Sequence, residues 1–224
     1  MSRGFFVTGT DTGVGKTLVA CALLRAFAGT GRTVIGMKPV AAGRDPDADD
    51  ADRLARASTV RAAKALTNPY AFGLPIAPHI AARLDGVEIA VERIVAAYTK
   101  LAQLADVVVA EGAGGFMVPL NAVQNGADLA RALGLPVVLV VGMRLGCLNH
   151  ALLTRECIAA KGLRCAGWVA NCITPDMPYF DANVDALRER IDAPLLGTIP
   201  HREGMSDDTA AGLLTVDILA GAHA

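Results

Sequence analysis

No apolar run in these 224 residues reaches the roughly 18 positions that a membrane-spanning helix requires. Neither sign of charge prevails. Lys plus Arg number 21 against 22 for Asp plus Glu, and a formal net charge of −1 gives no general attraction to nucleic acid or to an anionic membrane. No CxxC pair occurs. The five cysteines, at 21, 147, 157, 165 and 172, are odd in number and offer no zinc ligand set, so reduced, mostly buried thiols in a cytoplasmic protein are expected. Nor is there a repeat, a low-complexity tract or a linker, and one domain over 1–224 is the expectation. The chain passes within a few residues of Met1 into its first strand, so no signal peptide is expected. With 53% hydrophobic and 19% charged residues, the composition is that of a compact chain rather than a disordered one.

The stretch that organises the rest is GFFVTGTDTGVGKT, residues 4–17. Gly4 to Thr8 is short, apolar and β-prone. Glycines follow at 9, 13 and 15, then Lys16, Thr17 and the apolar-periodic run LVACALLRAF. Strand, glycine loop, Lys-Thr and helix make a phosphate cradle. Backbone N–H groups of the loop and the helix N-terminus face phosphate oxygens, Lys16 supplies a point charge, and the Thr17 hydroxyl is available to Mg²⁺. The spacing departs from the common form, because Thr10 stands where a first glycine is usual and Gly9 lies one residue earlier. The GKT ending and the flanking strand and helix still meet the motif's context test, so nucleotide binding is expected.

A helix is expected over about 16–29, then a strand over 32–40 that ends at Lys38-Pro39, and a short helix over 50–57. Residues 67–84 carry three prolines and two aromatics; such irregular backbone in an α/β protein tends to lie over a site. A helix at 88–103 precedes ADVVVAEGAGG (105–115), whose unbroken apolar run suits a strand buried on both faces. Further strands are expected at 135–143, 164–171 and 194–200, with helices beginning at Cys147 and near 180. Alternating strands and helices predict an α/β fold, a mostly parallel central sheet with helices on both faces. Ligands bind beyond the carboxyl ends of such strands. The polar groups placed there are Lys38, Glu111, Asn171 and Pro200-His201. Lys38 is expected to clamp transferred phosphoryl charge and Glu111 to share Mg²⁺ with phosphate oxygens. Asp45, Asp47, Asp49, Asp50 and Asp52 form either a solvated turn or the source of a second magnesium ligand, and the residues alone leave that open.

Taken together, VTGTDTGVGKT, KPVAAG, NPYAF with PHI, AEGAGG, LPVVLVVGMRLGCLNHALLT, GWVAN and PLLGTIP resemble, in order and over nearly the whole chain, the dethiobiotin synthetases of the P-loop NTPase superfamily. The resemblance implies a cytoplasmic ligase of biotin biosynthesis. It would use ATP and Mg²⁺ to carboxylate 7,8-diaminononanoate with CO₂ and close the cyclic urea, through a carbamate and its phosphoric anhydride. It implies that Thr12, Gly13, Val14, Gly15, Lys16 and Thr17 hold phosphates, with Lys16 and Lys38 stabilising the transferred group. Thr17, Asp52 and Glu111 would bind magnesium, and Asn171, Ile199, Pro200 and His201 the adenine. Thr12, Lys38 and Ala42 would meet the substrate. Gly146, Cys147, Leu148 and Asn149, at a helix N-terminus of the other subunit, would hold its carboxylate, which makes the partner a second copy of the chain. Ala42 is a departure, since many relatives carry a hydroxyl residue there.

Two rival classes fit less well. Partitioning and cell-division ATPases of this fold carry a signature lysine five residues before the main one, and here that position is Asp11. An amidotransferase-linked synthetase needs a glutaminase domain with a nucleophilic Cys and a His, which is not expected within these 224 residues. His150 and Cys157 are expected on opposite sides of their helix, without a triad context, and His79 serves either the substrate loop or helix packing. Trp168 is expected in the core.

Overall fold

A computed structural model describes residues 3–43 and 49–220. Strand β1 (Arg3–Gly9) runs through the glycine loop into α1 (Lys16–Gly29) and returns as β2 (Val34–Met37). The single strand expected over 32–40 is instead broken at Lys38-Pro39. Proline has no N–H to give a sheet, and the Lys38 N–H donates to the Thr67 carbonyl rather than to a neighbouring strand. Beyond the break, β3 (Val40–Ala42) pairs in parallel with β4 (Tyr70–Phe72) as a separate two-stranded sheet. Between them lie α2 (Asp50–Ala57) and the short α3 (Lys64–Thr67). The stretch 67–84 thus holds β4 and then α4 (Pro78–Leu84), with Pro78 at a helix start where its missing N–H costs nothing.

Helix α5 (Val91–Leu101) begins later than expected, and Ile89 is buried just before it. Then come β5 (Val107–Gly115), α6 (Gly126–Leu133), β6 (Val137–Met143), α7 (Cys147–Ala160), β7 (Cys165–Cys172), α8 (Phe180–Arg188) and β8 (Leu195–Ile199). Two short helices, α9 (Asp207–Ala211) and α10 (Asp217–Ala220), end the described chain. Helix α6 was not foreseen. It is fixed by a capping box in which Asn125 accepts from the Ala127 and Asp128 N–H groups and Asp128 accepts from that of Asn125.

The six-stranded sheet has the order β2-β5-β1-β6-β7-β8, and every described neighbour pair in it is parallel. Its strands read apolar throughout because both faces are covered. Phe5, Val7, Val107, Val109, Val138 and Val140 face a core shared with α1, α2 and the C-terminal helices. Phe6, Val108, Ala110, Leu139, Val141 and Trp168 face the opposite core, built with α5, α6, α7 and α8. Among the described residues, no helix is long and apolar enough to cross a membrane. The polar residues that end β1, β2, β5 and β7 therefore meet at one edge of a rigid slab.

Candidate active site

The glycine loop between β1 and α1 takes left-handed backbone at Gly13 (φ 73°) and Gly15 (φ 88°), where a side chain is strained. At Gly15 a Cβ would also run into the Asn171 side-chain nitrogen from β7. That nitrogen donates to the Val14 carbonyl at 2.8 Å, so the end of β7 sets the shape of the loop. The Val14 side chain packs inward, where it fills the space beside Gly9 and Gly142.

Beyond the loop lies a cavity of about 690 Å³. Thr12, Gly13, Gly15, Lys16, Thr17, Lys38, Ala42 and Glu111 all line it, as do Asp49, Asp50, Arg53 and the segment 75–78. The Thr17 hydroxyl lies 2.7 Å from Asp50 Oδ1 and 2.8 Å from Glu111 Oε1 and serves one of them at a time. Lys38 Nζ lies 2.5 Å from Glu111 Oε1 and 2.8 Å from Asp50 Oδ2. Lys16 Nζ donates to the Asp11 carbonyl at 2.9 Å.

The electrostatics differ for the two lysines. Burial works against the Lys38 ammonium, but the Glu111 and Asp50 carboxylates outweigh it, and its pKa is raised above the ordinary lysine value. For Lys16, burial and then the nearby Lys38 charge prevail, and its pKa falls to about 8. Burial would raise the Asp50 carboxyl, yet Lys38 draws its pKa down. Two cations and two carboxylates around one hydroxyl, at the mouth of a glycine loop, are equipment for binding and transferring phosphoryl groups.

Magnesium suits the donors present. It takes one or two carboxylates and a hydroxyl, with phosphate oxygens and water completing its shell. Glu111 is fully buried and its Oε2 has no hydrogen-bond partner, an atom that needs a cation or donor from the cavity. Thr17, Asp50 and Glu111 are therefore the residues that would hold the ion.

Asp52, expected in that set, points elsewhere. It is half exposed and pairs with Lys64 at 2.9 Å. The reason is helical geometry: Ala51, Leu54 and Ala57 form the buried face of α2, and Asp50 at the helix start borders the cavity while Asp52 is turned to the surface. Asp45 and Asp47 lie outside the described residues. Asn171 and the buried Ile199 are paired neighbours at the ends of β7 and β8, beside the loop but not on the cavity wall, and Pro200 and His201 are exposed. Gly146, Cys147, Leu148 and Asn149 form the start of α7, away from the cavity. His79 lies in the first turn of α4 with its Nδ1 buried and unpartnered.

A second cavity, of about 470 Å³, adjoins the first; Thr12 and Val118 line both. Its wall is largely apolar, with Phe116, Met117, Pro119 and Leu153. His150 and Cys157 both line it, which corrects the expectation that they face opposite sides: seven residues make nearly two full turns. Sequence reasoning also missed Arg53. Its signal was positional, one turn after Asp50 on the same short helix.

A family model described as an AAA domain matches residues 3–209. An ATP-dependent dethiobiotin synthetase from Nitrosospira multiformis is 54% identical over 217 residues, covering 96% of this chain and 96% of that protein. Another, from Aromatoleum aromaticum, is 55% identical and covers 95% and 96%. The chain belongs to the dethiobiotin synthetase family.

Among solved structures, the MinD cell division protein of Aquifex aeolicus matches with a TM-score of 0.57 at 17% identity, over 96% of this chain and 89% of that one. The septum site-determining protein MinD of Pyrococcus horikoshii, complexed with Mg-ADP, also gives 0.57, at 18% identity over 99% and 90%. At such identities the likeness is one of fold, the parallel sheet with its covering helices. The chain departs from the lysine expected of cell-division ATPases at Asp11, whose carboxylate pairs with Arg144 at 2.7 Å.

Proposed function

We propose that the protein is an ATP-dependent dethiobiotin synthetase acting on 7,8-diaminononanoate in the cytoplasm. One amine of the diamine attacks CO₂ and loses a proton to give a carbamate. A carbamate oxygen then attacks the γ-phosphorus of ATP and ADP departs. The second amine attacks the carbonyl carbon of the mixed anhydride, inorganic phosphate leaves with loss of a further proton, and the cyclic urea closes.

The protein's part is positioning and charge neutralisation. The glycine loop amides at Thr12 to Thr17 cradle the phosphates. Lys16, from the start of α1, and Lys38, from the end of β2, flank the transferred group and offset its charge. Thr17, Asp50 and Glu111 would hold Mg²⁺, which when bound would neutralise phosphate charge. The Asn171 oxygen, its nitrogen being engaged with Val14, is available to the amino group of adenine, with the backbone of Ile199 to His201 beside it. Thr12 and Lys38 meet the diamine end, and Ala42 offers a methyl where relatives have a hydroxyl. The apolar cavity that shares Thr12 suits an aliphatic chain. Its carboxylate end would rest on the α7 N-terminus of a second copy, at Gly146 to Asn149. Exposed Leu145, Leu153 and Met117 around that end of the molecule support a homodimer.

The observation that carries the reading is the group of Lys16, Lys38, Thr17, Asp50 and Glu111 on one cavity wall. The test is incubation with diaminononanoate, ¹³C-bicarbonate, Mg²⁺ and ATP. Labelled cyclic urea should appear with equal amounts of ADP and phosphate. ATP turnover that ignores the diamine, with no ring product, would overturn it.

A further inference from the structure

Helix α2 has eight residues, well below the roughly 12–15 at which a helix holds itself together in water. Its place, and with it the place of Asp50, comes from its tertiary contacts. One side is fixed by Ala51, Leu54 and Ala57 in the core. Another is fixed by Arg53, which follows Asp50 by one turn and reaches Asp207 at 2.8 Å. Both partners are largely shielded, with side-chain exposures of 32% and 24%.

Asp207 is the first residue of α9, just behind the Ser206 cap. Its carboxylate also lies near Cys21, one turn after Thr17 on α1, a thiol whose pKa is pushed up first by burial and then by Asp207. The two acids thus bracket the first turns of α1, Asp50 on Thr17 and Asp207 by Cys21, and Arg53, paired with Asp207, sits one turn from Asp50 on the same helix. Arg53 lines the large cavity as well. The segment from Pro200 to Ser206, which leaves β8 at the edge carrying Asn171, is tied down at its far end by the same pair.

We propose that the Arg53–Asp207 pair is a positioning device. It holds Asp50 at Thr17 and couples the 200–206 segment to the phosphate cradle, so that the magnesium-dependent part of nucleotide affinity rests on it. This inference rests on reading the cavity as a Mg·nucleotide site. Neither residue is assigned to the chemistry. Arg53 acts through Asp50, and Asp207 acts through Arg53.

The test is ADP binding by titration calorimetry, with Mg²⁺ and with EDTA, for wild type, Arg53→Gln, Asp207→Asn and the double variant. Thermal denaturation would confirm that each is folded. A shielded pair of this kind predicts an increase of about three- to tenfold in the Mg·ADP Kd for either single variant. With EDTA the Kd should change by less than about twofold. The double variant should be no worse than the poorer single one, since both remove one interaction. Asp208→Asn, next to Asp207 but highly exposed and 3.5 Å from Arg25, should leave the Kd unchanged and serves as the control for loosening of α9. Unchanged Mg·ADP affinity in the single variants, additive losses in the double, or an equal loss in Asp208→Asn would each overturn the proposal. A wild type that binds ADP equally well with and without Mg²⁺ would instead remove the reading of the cavity itself.

Discussion

At Lys16, burial and the neighbouring Lys38 ammonium bring the pKa down from 10.5 to about 8. A lysine shifted downward loses its proton first in the folded state. Between about 8 and 10.5 the unfolded chain therefore binds more protons and stability rises with pH, while below about 8 both states are charged and the penalty is constant. A phosphate anion against Lys16 reverses the shift, so ADP binding should take up a proton and weaken as pH rises through 8. Calorimetric Kd values at pH 7 and 9 would show the slope, and Lys16→Arg, which stays charged, should flatten it. Lys38 is shifted the other way by its two carboxylates. In Lys38→Ala, Glu111 and Asp50 lose the cation that sits between them, and turnover should fall at least tenfold in a steady-state assay; a smaller loss would argue against the clamp.

Asp50 and Asp52 separate two kinds of information carried by an element. The acidic run of 43–52 reads equally as a solvated turn or as the source of a carboxylate for the site, and which residue faces the cavity depends on where α2 begins. The Asp49 side chain accepts from the Ala51 N–H and caps the helix there, which sets Asp50 at the cavity and Asp52 outward against Lys64. Asp50→Asn should therefore raise the Mg²⁺ concentration for half-maximal activity severalfold, and Asp52→Asn should leave it unchanged; a magnesium titration of the two variants decides. The other differences have causes of their own. Strands β1, β5 and β6 were legible because each is a continuous apolar run between two cores. The split at Lys38-Pro39 was not, because its cause lies in the distant Thr67 carbonyl and in Asn68, which donates to the carbonyls of both Lys38 and Tyr70. Helix α6 has its signal in Asn125 and Asp128, three residues apart, a capping pair rather than a long apolar run.

For the whole molecule, one sheet edge gathers residues that the sequence scatters from Thr12 to Glu111. Motifs at the ends of apolar runs made most of that edge readable. The adjacency of the two cavities was not, since it arises where the turn after β5 meets the glycine loop: a Cβ at Gly114 would lie 2.7 Å from Val118 and 3.5 Å from Thr12. The apolar surface nearby makes a prediction for assembly. Leu145 is fully exposed and Leu153 is 61% exposed. A charge on either is harmless to a lone chain and costly in a dry interface. Leu145→Asp with Leu153→Asp should shift a dimer to monomers in sedimentation velocity, with little change in the unfolding temperature of the single chain.

Thr12 stands as a party wall between a polar chamber and an oily one. A molecule able to use both must carry its reactive groups at one end and its hydrocarbon at the other. Its length is then gauged from that threshold outward, so analogues with shorter chains should lose their grip at the far end while the reacting end stays in register.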